Sequence, residues 1–590
     1  MAQQPTHAAP RTRKRRVWPW VLAPVLALAV WAGWLAWDGM RLMEEAQALD
    51  SGAARAQQAL TDRDAAALST TVDELAQSAQ SFNAHSDGPH WWLAARTPWL
   101  GDQVRPLQAA GTAMGVLAED ALGPLAELDD LSALEAPPFE DGRIDPFFLE
   151  PFVPALESAD AALASQNTAL QAADADGAIA QVREPFERLR TEIDELSVVV
   201  ADAYATAQVL PGMLGGEGPR EYMVLMQNNA EPRALGGIVG AALEVTIDDG
   251  RFELGEYYTA GDLNVPDEEV TELTDDEYQI FTRRMSLYLQ NVTFTPEFPR
   301  AAQVASAFWE RERGSVPDGV IAVDPVALQY MMAGSDEREV DGLTISGDNL
   351  AQVLLNEIYL RYEDPNVQDA FFALAARELF GELVSGGAGV MDGAQRALDE
   401  ERLLVWSANE AEQAVLDTTV AGGNILEQDE TLGVFINDGS GSKIGYYVDA
   451  TLEAERSMCG AGDQTTGGSA VLELTHTFDG DVNDLPGYVS GADAFVPAGE
   501  FHANVVIYPP SGTSVTNLAL DGEQAQMRPV IHHGRPAANV RVEVLPGQTR
   551  TLAWELQSYE PSAQWTDATL TPGAKPTVNV AEVLESPEGC

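Results

Sequence analysis

The basic stretch RTRKRR at residues 11–16 is followed by 21 residues, 17–37, without a charged side chain. As a helix rising 1.5 Å per residue this run is about 32 Å long, enough to cross the hydrocarbon core of a bilayer. Trp18, Trp20, Trp34 and Trp37 sit near its two ends, where interfacial anchors are placed. A cleaved signal peptide would have a shorter apolar region and a small-x-small cleavage site, and none follows WLAWDGM. The run therefore predicts a retained transmembrane helix at 17–37 with residues 1–16 as a basic cytoplasmic tail. The expected localisation is the plasma membrane, single-pass, with the bulk of the chain extracytoplasmic.

The composition fits that placement. The formal charge is −58, and only three lysines occur, Lys14, Lys443 and Lys575. Phosphate neutralisation needs clustered cations, so nucleic acid is excluded as a partner. No Gly-Lys-Ser/Thr phosphate loop exists. The two cysteines, Cys459 and Cys590, form a candidate disulfide in an oxidising exterior; two free thiols are the alternative.

Three textures follow the anchor. Residues 38–208 are rich in Ala, Gln and Glu and predict an extracytoplasmic helical bundle or stalk. Its clearest signal is Ile179, Val182, Phe186, Leu189, Ile193, Leu196 and Val200, an a/d seam that suits one helix of an antiparallel bundle or a coiled coil. After the break PGMLGGEGPR, residues 210–430 alternate strands (221–227, 237–247, 251–258, 319–323, 402–408) with helices (300–313, 325–333, 349–362, 367–384, 409–417). That order predicts an α/β core with a mixed sheet. Residues 431–590 read as all strand, separated by Gly, Pro, Asn and Asp at intervals that suit a C-terminal β-sandwich. The fold class expected is multidomain α+β.

Between the first two core strands lies QNNAEPRALGG: Gln227, Asn228, Asn229, Glu231, Arg233, Gly236 and Gly237. Glycines let a ligand approach the main chain closely, and an arginine fork suits phosphate or carboxylate. A tight structural turn, with amides satisfying the backbone and Glu231 pairing Arg233, explains the same residues equally well.

The run YMVLMQNNAEPRALGGIVGAALEVTIDDGRF resembles the signature of the family catalogued as domain of unknown function 4012. FTPEFPRAAQVASAFWER, PDGVIAVDPVALQYMM, LTISGDNLAQVLLNEIY and INDGSGSKIGYYV extend the likeness over roughly 220–450. The resemblance implies an envelope-facing protein with an N-terminal anchor, and implies no activity. Where an Asp-x-Asn-Trp is expected, this chain has Asn291, Val292, Thr293 and Phe294, which removes a metal-ligand candidate. A fold-level similarity to the LytR–CpsA–Psr family, which transfers glycans from polyprenyl pyrophosphate carriers, would place Glu231 and Arg233 where that family has Asp-x-Arg.

Transfer of that kind needs arginine forks and commonly a divalent cation on carboxylates. The candidates are Arg233, Arg283, Arg284 and Arg300, with Glu231, Glu297, Asp318 and Asp324 as acids. For the last two, a turn residue and a helix N-cap are the structural alternatives. None of the seven histidines falls in the core, which disfavours a histidine-based triad or a histidine-ligated zinc there. The acidic stretch 261–279 lacks the spaced pattern of a calcium loop and suits a solvated loop. Two functions remain. One is binding or transfer of a polyprenyl-(pyro)phosphate-linked glycan, cell-wall polymer or other anionic envelope ligand at the 227–237 loop. The other is a non-catalytic envelope binding or scaffold protein.

Overall fold

A computed structural model describes residues 65–586, apart from 87, 129–138, 141, 266, 385–388, 460–463, 560–564 and 577–579, together with scattered helical residues between 31 and 59. The anchor expected at 17–37 falls almost wholly outside the described residues. So does the Cys459–Cys590 pairing, because Cys590 and the Cys459 side chain are not described. The chain is a mixed α+β protein that divides into two compact units: residues 1–135 with 149–207, and residues 136–148 with 208–590.

The first unit is built of helices. Ala65–Ser86, Pro89–Ala95, Leu100–Val116 and Val153–Gln171 pack small and aliphatic side chains around two hydrophobic clusters, one with Leu68, Leu75, Phe82 and Trp91, the other with Leu163, Leu170, Phe186 and Ile193. The a/d seam is used only in part. Phe186 and Ile193 are buried, whereas Ile179 and Leu196 are 46% and 47% exposed. The helix that carries the rest of the seam, Ala180–Met213, is by length and composition the one described helix able to cross a membrane.

The second unit contains a seven-stranded sheet. Its strands are β1 (Phe139–Glu140), β2 (Arg143–Ile144), β3 (Arg220–Arg233), β4 (Gly236–Asp248), β5 (Arg251–Thr259), β6 (Gly319–Val323) and, after a short hairpin of β7 (Arg338–Val340) and β8 (Leu343–Ile345), β9 (Leu403–Ser407). Their order is β1-β2-β5-β4-β3-β6-β9, with β3 antiparallel to β4 and parallel to β6. Alternation along β3 sends Met223 and Leu225 into the cluster under helix Phe298–Arg313 and Val224 and Met226 toward helices Pro325–Met331 and Pro365–Leu383. A strand covered on both faces has to be apolar at successive positions, which is why YMVLM is unbroken.

Residues 431–586 supply two further sheets, with strands β10 (Thr431–Asp438), β11 (Val448–Cys459), β12 (Gln464–His476), β13 (Phe501–Tyr508), β14 (Thr513–Leu520), β15 (Glu523–Gln524), β16 (Arg528–His532), β17 (Arg535–Val544), β18 (Thr549–Ser558), β19 (Asp567–Leu570) and β20 (Val580–Ser586). The orders are β16-β17-β13-β10-β19 and β15-β14-β18-β12-β11-β20. Leu432, Val434 and Ile436 of β10 share one cluster with Leu452, Leu472, Val505, Val542 and Trp554 from both sheets. The other face of β10 turns Phe435 onto Ala234 of the core. All eight residues of β10 are buried as a result.

Leu225, fully buried in the central strand, tests this arrangement. Leu225→Ala should lower unfolding stability by about 2–5 kcal/mol through lost burial and a residual cavity. Urea denaturation followed by fluorescence would measure it, and a change under 1 kcal/mol would contradict the packing described.

Candidate functional site

The polar break between the first core strands is not an open loop. β3 stays extended through Arg233, β4 starts at Gly236, and only Ala234 and Leu235 turn. The ladder slips between Met226 and Gln227 and again between Asn228 and Pro232. Gly237 permits the slip, since a Cβ there would lie 2.3 Å from the Asn228 carbonyl carbon. Gly236 has φ +119, a conformation side chains rarely adopt.

Each polar side chain in the stretch makes at least one contact with a neighbour. Gln227 Oε1 accepts from the Gly237 amide at 3.3 Å. Asn228 donates to the Tyr359 hydroxyl and accepts from the Ala230 amide. Asn229 Nδ2 donates to Asp324 Oδ2 at 2.8 Å. Asp324 itself caps helix Pro325–Met331 through the Ala327 amide and pairs with Arg402 at 2.7 Å, both side chains almost wholly buried. The N-cap alternative for Asp324 is therefore present, and the ion pair adds a second duty that spacing did not reveal.

Arg233 is 5% exposed. Its guanidinium lies 4.0 Å from both Glu231 and Asp438, donates to the Pro232 carbonyl, and faces the Phe294 ring at 4.8 Å. Burial lowers its pKa, with Asp438 and Glu231 pulling the other way. Glu231 also accepts from Lys443 Nζ at 2.6 Å. Burial, the largest single influence, would lower the Lys443 ammonium, but Glu231, Tyr359 and Tyr488 together outweigh it and the pKa is raised. Asp438 takes the Ser440 and Gly441 amides at 2.9 Å each, and burial raises its pKa. Two cations and two anions thus sit together, drawn from β3, from the end of β10 and from the turn Lys443–Tyr447. That turn seats closely on β3: a Cβ on Gly445 would lie 2.6 Å from Pro232 Cδ and 2.7 Å from the Ala230 oxygen.

The remaining candidates lie elsewhere. Arg300 forms a two-point pair with Glu277, at 2.6 and 3.0 Å, and donates to the Glu272 carbonyl. Arg283 pairs with Glu269, and Asp318 accepts from Arg220 and the Glu221 amide. The cleft beside the turn is lined by Ala234, Leu235, Pro296, Glu401 and Pro572, with Arg233 absent from its walls. Among the described residues no group of three or more His, Cys, Asp or Glu could hold a metal ion.

Residues 217–359 match the family described as Protein of unknown function (DUF4012). No curated protein and no solved structure matches the chain. The DUF4012 segment thus covers β3 to β6 and the helices after them, while β10 and Lys443, which complete the charge cluster, lie beyond it. The four residues that replace the expected Asp-x-Asn-Trp border the DUF4012 turn: Thr293 Oγ1 donates to the Gly237 carbonyl, and Phe294 supplies the ring under Arg233. Sequence reasoning missed Asp438 and Lys443 as partners of Glu231 and Arg233. The rarity of lysine was the available signal, since one of only three sits in the INDGSGSK motif.

Glu297 gives the junction a pH dependence. Burial is the largest influence on its carboxyl, which is pushed up to about 7, while it accepts from the Leu426 amide. A folded pKa raised above the ordinary 4.5 means the native state holds the proton longer, so stability falls as pH rises from about 4.5 to 7. Burial depresses nearby His532 to about 4, which acts oppositely, adding stability as pH rises from about 4 to 6.5. Glu297→Gln removes only the first effect. The melting temperature of the variant minus that of wild type should be near zero at pH 4.5 and should rise to a plateau above pH 7, worth up to ~3 kcal/mol. A pH-independent difference would show that Glu297 does not titrate in this window.

Proposed function

We propose that this is a membrane-anchored, extracytoplasmic envelope protein acting as a non-catalytic scaffold, in which the core and a C-terminal β-sandwich are joined by the 227–237 hairpin. The observation that carries the reading is the neutralised cluster of Glu231, Arg233, Asp438 and Lys443, closed by residues from both parts. An arginine meant for a soluble anion would present its fork to solvent, whereas this one is covered and shares two carboxylates. The anchor reading rests on the uncharged run 17–37 and the basic stretch before it. The partner it implies is the membrane.

A specific observation supports the rival, an anionic ligand such as a lipid-linked glycan. Arg233 Nε and Asn229 Oδ1 are buried with no hydrogen-bond partner among the described residues. A ligand reaching them would need the sandwich to move off the hairpin.

Arg233→Lys and Arg233→Met in the full chain separate the two. Under the scaffold reading, Arg233→Met leaves two buried carboxylates sharing one cation and costs about 3–5 kcal/mol. Arg233→Lys costs less, and neither changes the binding of polyprenyl pyrophosphate. If Arg233→Lys melts like wild type but binds that lipid roughly ten- to hundred-fold more weakly, the scaffold reading is wrong. Orientation is checked by a reporter fused after Cys590, which should be active only outside the membrane.

A further inference from the structure

The first helical unit exposes two tryptophans and a leucine within eight residues of sequence, Trp92, Leu93 and Trp99. Helix Pro89–Ala95 turns His90, Trp91 and Ala94 inward, with Trp91 and Ala94 in the cluster that also holds Leu42 and Leu49. Its outer face carries Trp92 and Leu93, 56% and 48% exposed, and Trp99 follows at 63%. Trp99 has φ 70, a conformation that costs a bulky residue steric energy and that no burial rewards here. Exposing two tryptophans and a leucine to water is unfavourable, so a covering surface is implied.

The end of the uncharged run packs directly on this helix: Trp31 Nε1 donates to the His90 carbonyl, Trp34 stacks on the His90 ring at 4.1 Å, and Asp38 Oδ2 meets His90 Nε2 at 2.8 Å. Trp34 and Trp37 are themselves 51% and 57% exposed. Arg41 lies 5.5 Å over the Trp37 ring and Arg96 3.9 Å over the Trp92 ring. Tryptophan bodies with guanidinium groups stacked on them match the water–lipid boundary, where rings take the acyl side and cations the phosphates.

We infer that Trp92, Leu93 and Trp99 form an interfacial foot that lies in the outer headgroup layer beside the anchor and fixes the helical unit against the lipid surface. The inference rests on the anchor reading above, since the foot is placed by the end of that run. The ligand is a phospholipid headgroup layer, recognised by amphipathic rings and two arginines, with no single lipid species specified. The hydrogen bond between Asp38 and His90 fastens the foot to the helix leaving the membrane.

The test uses the full chain reconstituted in phosphatidylcholine–phosphatidylglycerol vesicles whose acyl chains are brominated near the glycerol end. Bromine quenches tryptophans within the interface. Trp92→Phe/Trp99→Phe, at exposed positions, should fold like wild type and lose roughly two of the 12 tryptophans' worth of emission from the quenched fraction. An unchanged quenched fraction overturns the foot. Alkaline carbonate extraction of the same vesicles reports on the anchor separately. A chain that stays in the membrane while the double variant quenches like wild type sinks the foot alone, and a chain that is extracted sinks both. If a second copy covered this face, the two rings would escape bromine and the reconstituted chain would crosslink as a dimer, which also overturns the inference.

Discussion

The second unit depends on four charges that share one buried site. Taking Arg233 and Lys443 out of water costs several kcal/mol each, and Glu231 and Asp438 offset that only when all four are in place. Such a cluster contributes little net stability, because water would serve the same groups if the parts separated. Its effect is on register: a hairpin shifted by one residue would bury a charge without its partner. The end of β10 and the turn after it therefore have one way to meet the β3–β4 hairpin.

The same logic runs along the whole junction. Ala234 donates to the Asn437 side chain and accepts from the Thr571 hydroxyl, while Arg402 bridges Asp324 to the Gly573 carbonyl. Arg535 donates to the carbonyls of Ile425, Leu426 and Pro509. These bonds satisfy backbone groups where strands end against one another, the places at which a buried junction would otherwise leave donors and acceptors unmet. Glu297 and His532 sit in this layer too, and burial shifts both toward their uncharged forms. The junction is thus polar in composition yet closed to water.

Much of the core was legible in the sequence. The strands expected at 237–247, 251–258 and 319–323 fall within a residue of those formed, and the helices expected at 325–333 and 409–417 within two. Two features were not. β3 continues seven residues past its apolar run, because its amides and Pro232 are accommodated by bulges that Gly236 and Gly237 allow. Helix Val390–Asp399 escaped notice because its inward face is made of Gly393 and Ala397, small residues that give a weak apolar signal. Gly393 is small for a reason that only packing supplies: a Cβ there would lie 2.3 Å from the Met331 amide nitrogen.

What the sequence by itself determined is whatever depends on local periodicity and composition: the uncharged run and its basic flank, the alternation of the core, the all-strand C-terminal texture, and the likeness of residues 217–359 to a known family. Those signals are carried by neighbours a few residues apart, and chain geometry alone converts them into helices and strands. The partners of Arg233 were beyond its reach. Glu231 is near in sequence, but Asp438 and Lys443 are more than 200 residues away, and any acid or base in the chain satisfies a charge on paper. Only the tertiary structure decides which of 92 acids and 34 basic residues share a site without water, because burial sets the strength of each charge and depends on everything packed around it.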